Sequence, residues 1–428
     1  MASLMYNTNI RATDGSIQLG GCPASELAAS YGTPLLVLDT DVLDQQIEAF
    51  LTIARPFGIE VAYAGKALLL TALARHLSMR GLALDCCSLG EIVTAEAAGY
   101  PPELISLHGC AKTTEELQAV VAGRVGRSIV DNFDELVRLA ALARSERPVA
   151  VVLRVNTGIE AHTHECVRTG GDNTKFGFAL SDVDRAIAFI QAEPALRLQG
   201  LHAHIGSQII DADPFVLNLD VLMELYVRAH HGGFLHGHDL ILGGGFGVPM
   251  HPDEEHERMD IPRLCQALAQ RAQQLAEQAG VPVPHLGIEP GRAIIAEAGT
   301  SLYRVSAVKQ QGKRRFVIVD GGMTDNPRPA LYQSYHHPFL ASRVSSAAGQ
   351  LMTVCGRTCE NDELVQAELP RDLATGDLLA LGVTGAYTYS MASNYNRFSR
   401  PAVIFAGQGE HRLVARRETP DELLRYDV

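Results

Sequence analysis

The stretch Ile59-Glu60-Val61-Ala62-Tyr63-Ala64-Gly65-Lys66-Ala67 sets the pattern from which the fold is predicted. A short apolar run ends in Gly65 and Lys66, and a helical segment follows over 68–79. Small residues flank Lys66, so a bulky planar group can approach it. Because a lysine at such a junction is commonly a solvated surface charge, its role has to be judged from the rest of the chain.

Seven further apolar runs follow the first and alternate with helical segments. They are short and continuous, as expected for parallel strands that are buried on both faces. Eight strand–helix units predict a (β/α)8 TIM barrel, with a doubly wound sheet as the competing arrangement. The eight candidate strands are Glu60–Ala64, Leu82–Cys86, Leu104–His108, Arg127–Val130, Val149–Val155, Leu198–His204, Asp239–Leu242 and His285–Glu289.

The barrel makes a prediction of its own about the ends of these strands. Functional side chains of such barrels follow the carboxyl ends of the strands. Polar residues and glycines concentrate at these positions, although each could separately be a helix cap. They are Lys66, Asp85, Ser88, His108, Asn132, Arg154, Asn156, His204, Ser207, Gly243-Gly244-Gly245, Glu289 and Arg292.

The character of the sequence changes after about residue 299, where helical periodicity fades and short β-like runs begin. Examples are Phe316–Val319, Leu351–Val354, Asp377–Leu381 and Ala402–Phe405. We therefore predict a barrel domain at 36–298 and a mainly β domain formed by 1–35 and 299–428.

The composition excludes several classes of protein. The chain has 428 residues, a net charge of −13 and no long basic cluster, which argues against nucleic acid as a partner. We expect no transmembrane span and no signal peptide, and therefore a cytoplasmic protein. The eight cysteines are dispersed, so we expect reduced thiols. Cys355 and Cys359 have no second pair at zinc-ligand spacing, and we predict no metal site.

Two motifs at the barrel mouth leave their chemistry open. Gly243-Gly244-Gly245-Phe246-Gly247-Val248 follows a strand and lacks the third glycine of the dinucleotide fingerprint, so it suits a single phosphate or a plain tight turn. His202 and His204 are predicted on one face of a strand. They could bind a metal, pack in the core, or stack on a planar cofactor.

Taken together, the motifs resemble the fold-type III pyridoxal-phosphate decarboxylases, and most closely their diaminopimelate branch. The resemblance covers nearly the whole chain. It rests on the order of Tyr63–Ala67, His202–Gln208, the Gly243 loop, Glu289-Pro290-Gly291-Arg292, Arg328–Tyr332, Cys359-Glu360, Gly385-Ala386-Tyr387 and Ser390–Asn396. It implies an alanine-racemase-like barrel with a β domain, pyridoxal 5'-phosphate as cofactor, and a homodimer with the active site at its interface.

The resemblance also implies a role for each matching residue. Lys66 carries the cofactor as a Schiff base, His204 stacks on the pyridine ring, and Glu289 pairs with the ring nitrogen. Cys359, supplied by the β domain of a partner subunit, returns the proton. The other expected cofactor-binding residues are Asp85, Ser207, Gly244, Gly245, Gly291, Arg292 and Tyr387. The expected substrate-binding residues are Arg292, Arg328, Tyr332, Glu360 and Tyr387.

The expected reaction is decarboxylation of meso-2,6-diaminopimelate to L-lysine and CO2, a step of lysine biosynthesis. Glu289 favours a decarboxylase over a racemase, since a carboxylate keeps the ring nitrogen protonated and deepens the electron sink. Arg328 suits a distal carboxylate. Arg357 and Asn361 depart from the family pattern beside Cys359. They leave open a related substrate (a D-amino acid, a carboxylated polyamine or a siderophore precursor). A non-catalytic, cofactor-binding regulatory homologue is the alternative of another class.

Overall fold

The computed structural model describes residues 11–13, 16–159, 174–251 and 253–428, so Cys166 lies outside the described residues. The chain forms two compact units. One comprises residues 48–247 and 258–291, and the other comprises residues 1–47, 248–257 and 292–428. We call them the barrel unit and the β unit.

The strands and helices alternate in the barrel unit, whereas strands dominate the β unit. The strands are β1 Arg11–Thr13, β2 Ser16–Leu19, β3 Cys22–Pro23, β4 Leu35–Asp39, β5 Glu60–Ala64, β6 Ala83–Cys86, β7 Ile105–Leu107, β8 Arg127–Val130, β9 Val149–Asn156, β10 Phe178–Ala179, β11 Leu196–His202, β12 Asp239–Ile241, β13 His285–Ile288, β14 Gly299–Gln311, β15 Arg314–Val319, β16 Pro338–Leu340, β17 Gly349–Cys355, β18 Glu363–Pro370, β19 Leu378–Leu381, β20 Ala402–Gly407 and β21 Glu410–Ala415. The α-helices are α1 Ala24–Tyr31, α2 Thr40–Ala54, α3 Thr71–Met79, α4 Leu89–Ala97, α5 Thr114–Val121, α6 Phe133–Leu142, α7 Val183–Ala192, α8 Asp213–His231, α9 Ile261–Ala279, α10 Arg292–Ile295 and α11 Arg328–Tyr332.

Eight parallel strands close the barrel. Their order is β5-β6-β7-β8-β9-β11-β12-β13, and β13 pairs with β5 to complete the ring. The predicted (β/α)8 barrel is confirmed. Strands β5 and β8 have the predicted bounds, and those of the other six strands differ by one or two residues at an end. Strands β6 and β7 are buried at every residue, which explains their continuous apolar runs.

Side-chain caps start several of the barrel helices. Ser88 accepts a hydrogen bond from the backbone N–H of Glu91, and Asn132 accepts one from Glu135. Thr113 forms a capping box with Glu116. Ser88 and Asn132 were among the polar residues predicted at the strand ends, and the structure uses both as helix caps.

The amino ends of four strands are tied together by charge. Arg127, the first residue of β8, contacts Glu60 of β5 and lies 3.1 Å from Asp239 of β12. Nδ1 of His285, at the start of β13, lies 3.4 Å from Oδ1 of Asp239. This network occupies the end of the barrel opposite the predicted functional side chains.

The β unit is built around one sheet of order β18-β17-β15-β14-β4-β20-β21, with β19 also paired to β14. The predicted β-like runs at 316–319, 351–354, 377–381 and 402–405 correspond to β15, β17, β19 and β20. Strand β4 pairs with β14 and β20 and thus lies in this sheet. The domain division at residues 35/36 and 298/299 stays a prediction.

Two apolar clusters fill the β unit. One packs around Leu35, Val37 and Ile404, and the other around Tyr303, Val317 and Leu379. Across the described ranges, none of the helices combines the length and apolarity that crossing a membrane requires.

Candidate active site

Glu289 lies buried just beyond β13, between two histidines. Nε2 of His202 lies 3.1 Å from Oε2 of Glu289, and Nε2 of His108 lies 3.3 Å from Oε1. His202 is the last residue of β11, and His108 directly follows β7. The barrel therefore brings one imidazole to each oxygen of the carboxylate.

Asp85 joins this group through His108. Its Oδ1 lies 3.4 Å from Nε2 of His108, so one imidazole nitrogen lies between two carboxylates. The contact to Asp85 lacks hydrogen-bond geometry, because Oδ1 of Asp85 and Nε2 of His108 are both without a hydrogen-bond partner among the described residues. We call Asp85, His108, His202 and Glu289 the carboxylate–histidine cluster.

The charges of the cluster follow from its burial and pairing. Burial raises the pKa of Glu289, but His202 and His108 outweigh it and hold the pKa well below the usual range. Burial lowers the pKa of His108, but Glu289 and Asp85 raise it to about 9. Burial and the charge of Glu289 raise the pKa of Asp85 to about 6. Burial lowers the pKa of His202 to about 4. At neutral pH, Glu289 is ionised, His108 is a cation and His202 is neutral.

The same three side chains, His108, His202 and Glu289, have ligand atoms within 4.8 Å of one another. Ion-pair networks and metal sites share this spacing. Each imidazole ring contacts a different oxygen of Glu289. This arrangement fits an ion-pair network, which the charges of Glu289 and His108 also favour.

His204 faces the glycine loop. The N–H of Gly244 donates to Nδ1 of His204 at 3.2 Å, so the neutral ring carries its proton on Nε2. Burial, followed by the charges of Lys66 and Arg154, holds the pKa of His204 well below its usual value. Strand β11 ends at His202, so the prediction that both histidines lie on one strand face is wrong for His204.

The glycine loop is packed too closely for side chains. A Cβ at position 244 would lie 2.0 Å from the carbonyl oxygen of Glu289, and one at position 245 would lie 2.0 Å from that of Gly206. Gly245 also has a φ of 97°, which favours glycine. Ser207 follows Gly206 directly, so the loop, Ser207 and Glu289 are neighbours in the barrel unit.

Lys66 lies where the sequence predicts it, in a short 3-10 turn after β5. Its side chain is exposed. Burial raises the pKa of Glu91 and the charge of Lys66 opposes that rise, whereas burial and Lys66 both lower the pKa of His204. The segment after β13 packs on the same turn, because a Cβ at Gly291 would lie 3.2 Å from that of Ala67. Lys66, His204 and Glu289 thus belong to one end of the barrel.

Two buried arginines share one aromatic ring in the β unit. The guanidinium of Arg292 lies 4.9 Å from the centre of the Tyr387 ring, and that of Arg328 lies 5.4 Å from it. Arg328 also lies 4.9 Å from the Tyr332 ring. Burial and the charge of Arg292 lower the pKa of Arg328 to about 10. Within the described ranges, neither Nε atom has a hydrogen-bond partner. Such a pair suits an anionic ligand.

Cys359 and Glu360 are exposed on the loop between β17 and β18. The N–H of Cys359 donates to Asn396 Oδ1 at 3.1 Å, and the Tyr395 hydroxyl donates to Glu360 Oε1 at 2.6 Å. Asp362 anchors the loop. Its carboxylate accepts from the N–H of Met323 at 2.7 Å and from the hydroxyl of Thr358 at 2.8 Å.

Sequence reasoning named the histidines at the barrel mouth but missed their common target, because residues from four different strands meet there. The sequence pointed to this meeting only by placing histidines and Glu289 at the carboxyl ends of different predicted strands. The anchoring role of Asp362 had no signal, since its partners lie 4 and 39 residues away in the chain.

Comparison with known proteins defines the class. Residues 43–296 match the family model of the pyridoxal-binding domain of pyridoxal-dependent decarboxylases. The chain belongs to this family, and its cofactor is pyridoxal 5'-phosphate.

Individual relatives narrow the likeness. The chain is 43% identical to a diaminopimelate decarboxylase of Actinosynnema pretiosum subsp. auranticum, over 99% of this chain and 95% of that one. It is 38% identical to the Bacillus subtilis diaminopimelate decarboxylase, over 99% and 98%. The crystal structure of M. jannaschii diaminopimelate decarboxylase in complex with L-lysine is similar, with a TM-score of 0.92, 30% identity and coverage of 99% and 98%.

The residues at the barrel mouth fit this cofactor. Its ring nitrogen needs an acidic partner, and Glu289 is held ionised. Its phosphate needs backbone N–H donors, and the glycine loop is a cradle that side chains would fill. A planar ring is matched by the neutral imidazole of His204. The individual site residues stay predictions.

Proposed function

We propose that the protein removes CO2 from one end of meso-2,6-diaminopimelate and releases L-lysine. The observation that carries the proposal is the buried carboxyl group of Glu289, held between His108 and His202. The relatives support the substrate, because several diaminopimelate decarboxylases share 38–43% of their residues with nearly the whole chain.

In the proposed mechanism, residues of the barrel unit hold the cofactor. Lys66 attaches it, His204 covers a ring face, Glu289 holds the proton at the ring nitrogen, and the 243–245 loop with Ser207 binds the phosphate. Asp85 acts through His108 rather than by direct contact. When bound, the cofactor would supply an electron sink for the pair that is left as the bond from the α-carbon to the carboxylate breaks.

Residues of the β unit supply substrate binding and the proton. Arg292 and Arg328 lie buried around Tyr387 without a carboxylate among their contacts in the described residues, so an anionic group of the ligand offsets their charge. Tyr387 is a further predicted phosphate contact, as is Gly291 of the barrel unit. Glu360 faces the distal amino group of the substrate, and Tyr332 faces its carbon chain. Cys359 returns a proton to the α-carbon.

The unusual residues of the Cys359 loop do not favour another substrate. The guanidinium of Arg357 lies 4.2 Å from the centre of the Phe398 ring, and the side-chain amide of Asn361 donates to Glu363 at 3.2 Å. Both side chains are therefore engaged within the β unit. The regulatory alternative loses support because Lys66 and Cys359 are both retained.

The proposal is tested by CO2 release from a panel of substrates. Purified protein with pyridoxal phosphate is given meso-diaminopimelate, its LL and DD isomers, L-lysine, L- and D-ornithine and L-arginine. We expect meso-diaminopimelate to have the highest kcat/KM by at least about a hundredfold, the discrimination of a site with buried charged partners. Release from another panel member at a higher kcat/KM, or from none, refutes the proposal.

A matched pair of variants tests the arginine. Arg328→Met should lower kcat/KM for diaminopimelate by about 10- to 150-fold, the value of one lost charged hydrogen bond of about 1.5–3 kcal/mol. Arg412→Met is the control. The Arg412 guanidinium also lies 4.9 Å from an aromatic ring, that of Phe405, but Arg412 lies on the exposed strand β21. Equal effects of the two substitutions would remove Arg328 from substrate binding.

We also propose a homodimer with the active site at its interface. The exposure of Cys359 and Glu360 in a single copy supports a second chain that covers their loop. Mixing Lys66→Ala with Cys359→Ala protein should restore about a quarter of wild-type activity, because half of all dimers formed are heterodimers and each heterodimer has one complete site out of two. No restored activity after dissociation and reassociation contradicts a shared site.

We propose a cytoplasmic location because of the state of the cysteines. The seven described cysteines are free thiols, three of them exposed or half-buried, which suits a reducing compartment. Cell fractionation with an antibody to the chain tests this, and recovery in a secreted fraction contradicts it.

A further inference from the structure

The carboxylate–histidine cluster holds two histidines to which the proposed reaction assigns neither a proton transfer nor a direct cofactor contact. His108 and His202 both reach Glu289, but from different strands and to different oxygens. Their rings lie 5.2 Å apart, edge to face. Neither is the predicted ring-stacking residue, which is His204.

We propose that His108 and His202 are positioning residues for Glu289 with separate tasks. His108 supplies the positive charge that lets Asp85 and Glu289 be ionised together, and His202 supplies a neutral hydrogen bond that orients the carboxylate. The inference rests on the proposed function only in so far as Glu289 faces the cofactor's ring nitrogen.

The geometry separates the two tasks. Nε2 of His108 lies 3.4 Å from Asp85 and 3.3 Å from Glu289 without hydrogen-bond geometry to either, so it stands between the two carboxylates as a charge. Nε2 of His202 meets Glu289 with hydrogen-bond geometry at 3.1 Å. Because His202 is neutral and Glu289 is ionised, Nε2–H of His202 donates and its Nδ1 is unprotonated.

The charge balance requires His108. Two carboxylates in a buried site repel each other, and one of them becomes protonated unless a cation intervenes. Asp85, Glu289 and His202 are the groups that contact His108. Glu91, Arg127 and Arg154 act on members of the cluster from greater distance, and Lys66 acts on the neighbouring Glu91 and His204. Of these groups, His108 alone lies between both carboxylates.

The consequence is a pH dependence of cofactor binding. Without the cation at position 108, burial and mutual repulsion raise the pKa of Asp85 and Glu289. Glu289 is then ionised only at higher pH, so the acidic limit of cofactor binding moves upward. Loss of His202 removes one hydrogen-bond donor to Glu289 but does not change the net charge of the cluster. It should therefore weaken cofactor binding at every pH.

The experiment measures pyridoxal-phosphate binding to cofactor-free protein by absorbance from pH 5.5 to 9, in EDTA and without substrate. His108→Gln should move the acidic midpoint upward by about one pH unit or more. His202→Gln should weaken binding by about tenfold or more with little change in the midpoint. The double variant Asp85→Asn/His108→Gln should show a smaller shift than His108→Gln, since the second carboxylate charge is gone.

The control is His285→Gln. His285 also pairs with a carboxylate, Asp239, at 3.4 Å, and it begins the strand that Glu289 follows, so its loss should leave the midpoint unchanged. If His108→Gln fails to fold, Asp85→Asn carries the test and should move the midpoint to lower pH. A midpoint unchanged in His108→Gln, an equal shift in His285→Gln, or a shift that appears only with added zinc overturns the proposal. Because no substrate is used, failure of the substrate panel does not decide this test.

Discussion

The ion pair between Lys112 and Glu135 allows a prediction about stability. Nζ of Lys112 lies 2.8 Å from Oε1 of Glu135, and both side chains are at most 3% exposed. Nζ also donates to the carbonyls of Ile129 at 2.7 Å and Gly109 at 3.0 Å. Lys112 thus ties the loop after β7 to β8, within the barrel unit.

Lys112→Met should lower the free energy of unfolding at pH 7 by about 3–5 kcal/mol. That is the cost of leaving one member of a buried pair uncompensated. Surface screening does not reduce it here, because both partners are buried. Lys112→Met/Glu135→Leu removes both charges and should recover most of the loss, since apolar replacement of a buried pair is commonly near neutral.

The loss should depend on pH with a definite sign. Burial raises the pKa of Glu135 in the folded protein, and Lys112 lowers it in part. Without Lys112 the folded pKa rises further above the unfolded value. The folded state then binds the extra proton, and stability falls as pH rises from about 4.3. The deficit of Lys112→Met should therefore shrink as pH is lowered toward that value.

Urea unfolding followed by circular dichroism measures these differences, with the exposed Lys313→Met as control, expected within about 0.5 kcal/mol of wild type. A loss below about 1 kcal/mol in Lys112→Met would refute the reasoning. So would a double variant whose loss is the sum of the two single losses.

Two further predictions concern the site. Gly244→Ala should lower stability by about 3 kcal/mol and weaken cofactor binding, because its Cβ would lie 2.0 Å from a backbone oxygen. Gly90→Ala is the control and should have neither effect, because its Cβ would lie 3.7 Å from the nearest atom. Thermal melts and cofactor titrations measure both effects. Asp362→Ala should free the Cys359 loop from Met323 and Thr358, so iodoacetamide should modify Cys359 faster and kcat should fall more than KM rises; an alkylation rate like that of wild type contradicts the anchoring role.

The fold was largely predictable from the sequence. Continuous apolar runs at regular spacing gave all eight barrel strands, since burial on both faces leaves little freedom in composition. The carboxyl-end rule then selected Lys66, Asp85, His108, His204 and Glu289 as neighbours at one end.

The pairings within the site were not predictable from the sequence. Which histidine meets which oxygen of Glu289 depends on strand register and ring orientation, and neither is written in a local pattern. The same holds for Asp362, whose carboxylate joins residues that are distant in the chain. Ser88 and Asn132 illustrate the converse, because a polar residue after a strand is also what a helix needs as a cap.

The pairing of β4 in the β unit has a consequence for synthesis on the ribosome. Leu38 pairs with Gly299, about 260 residues later, and the other neighbour, β20, emerges later still. At about 5–20 residues per second, β4 waits roughly 13–50 seconds with both edges open. Its five residues, Leu35–Asp39, are all buried in the folded protein, and during that time this largely apolar segment can pair with non-native strands. A chain truncated after β13 never supplies the partners, so we expect such a fragment to aggregate however well its barrel closes.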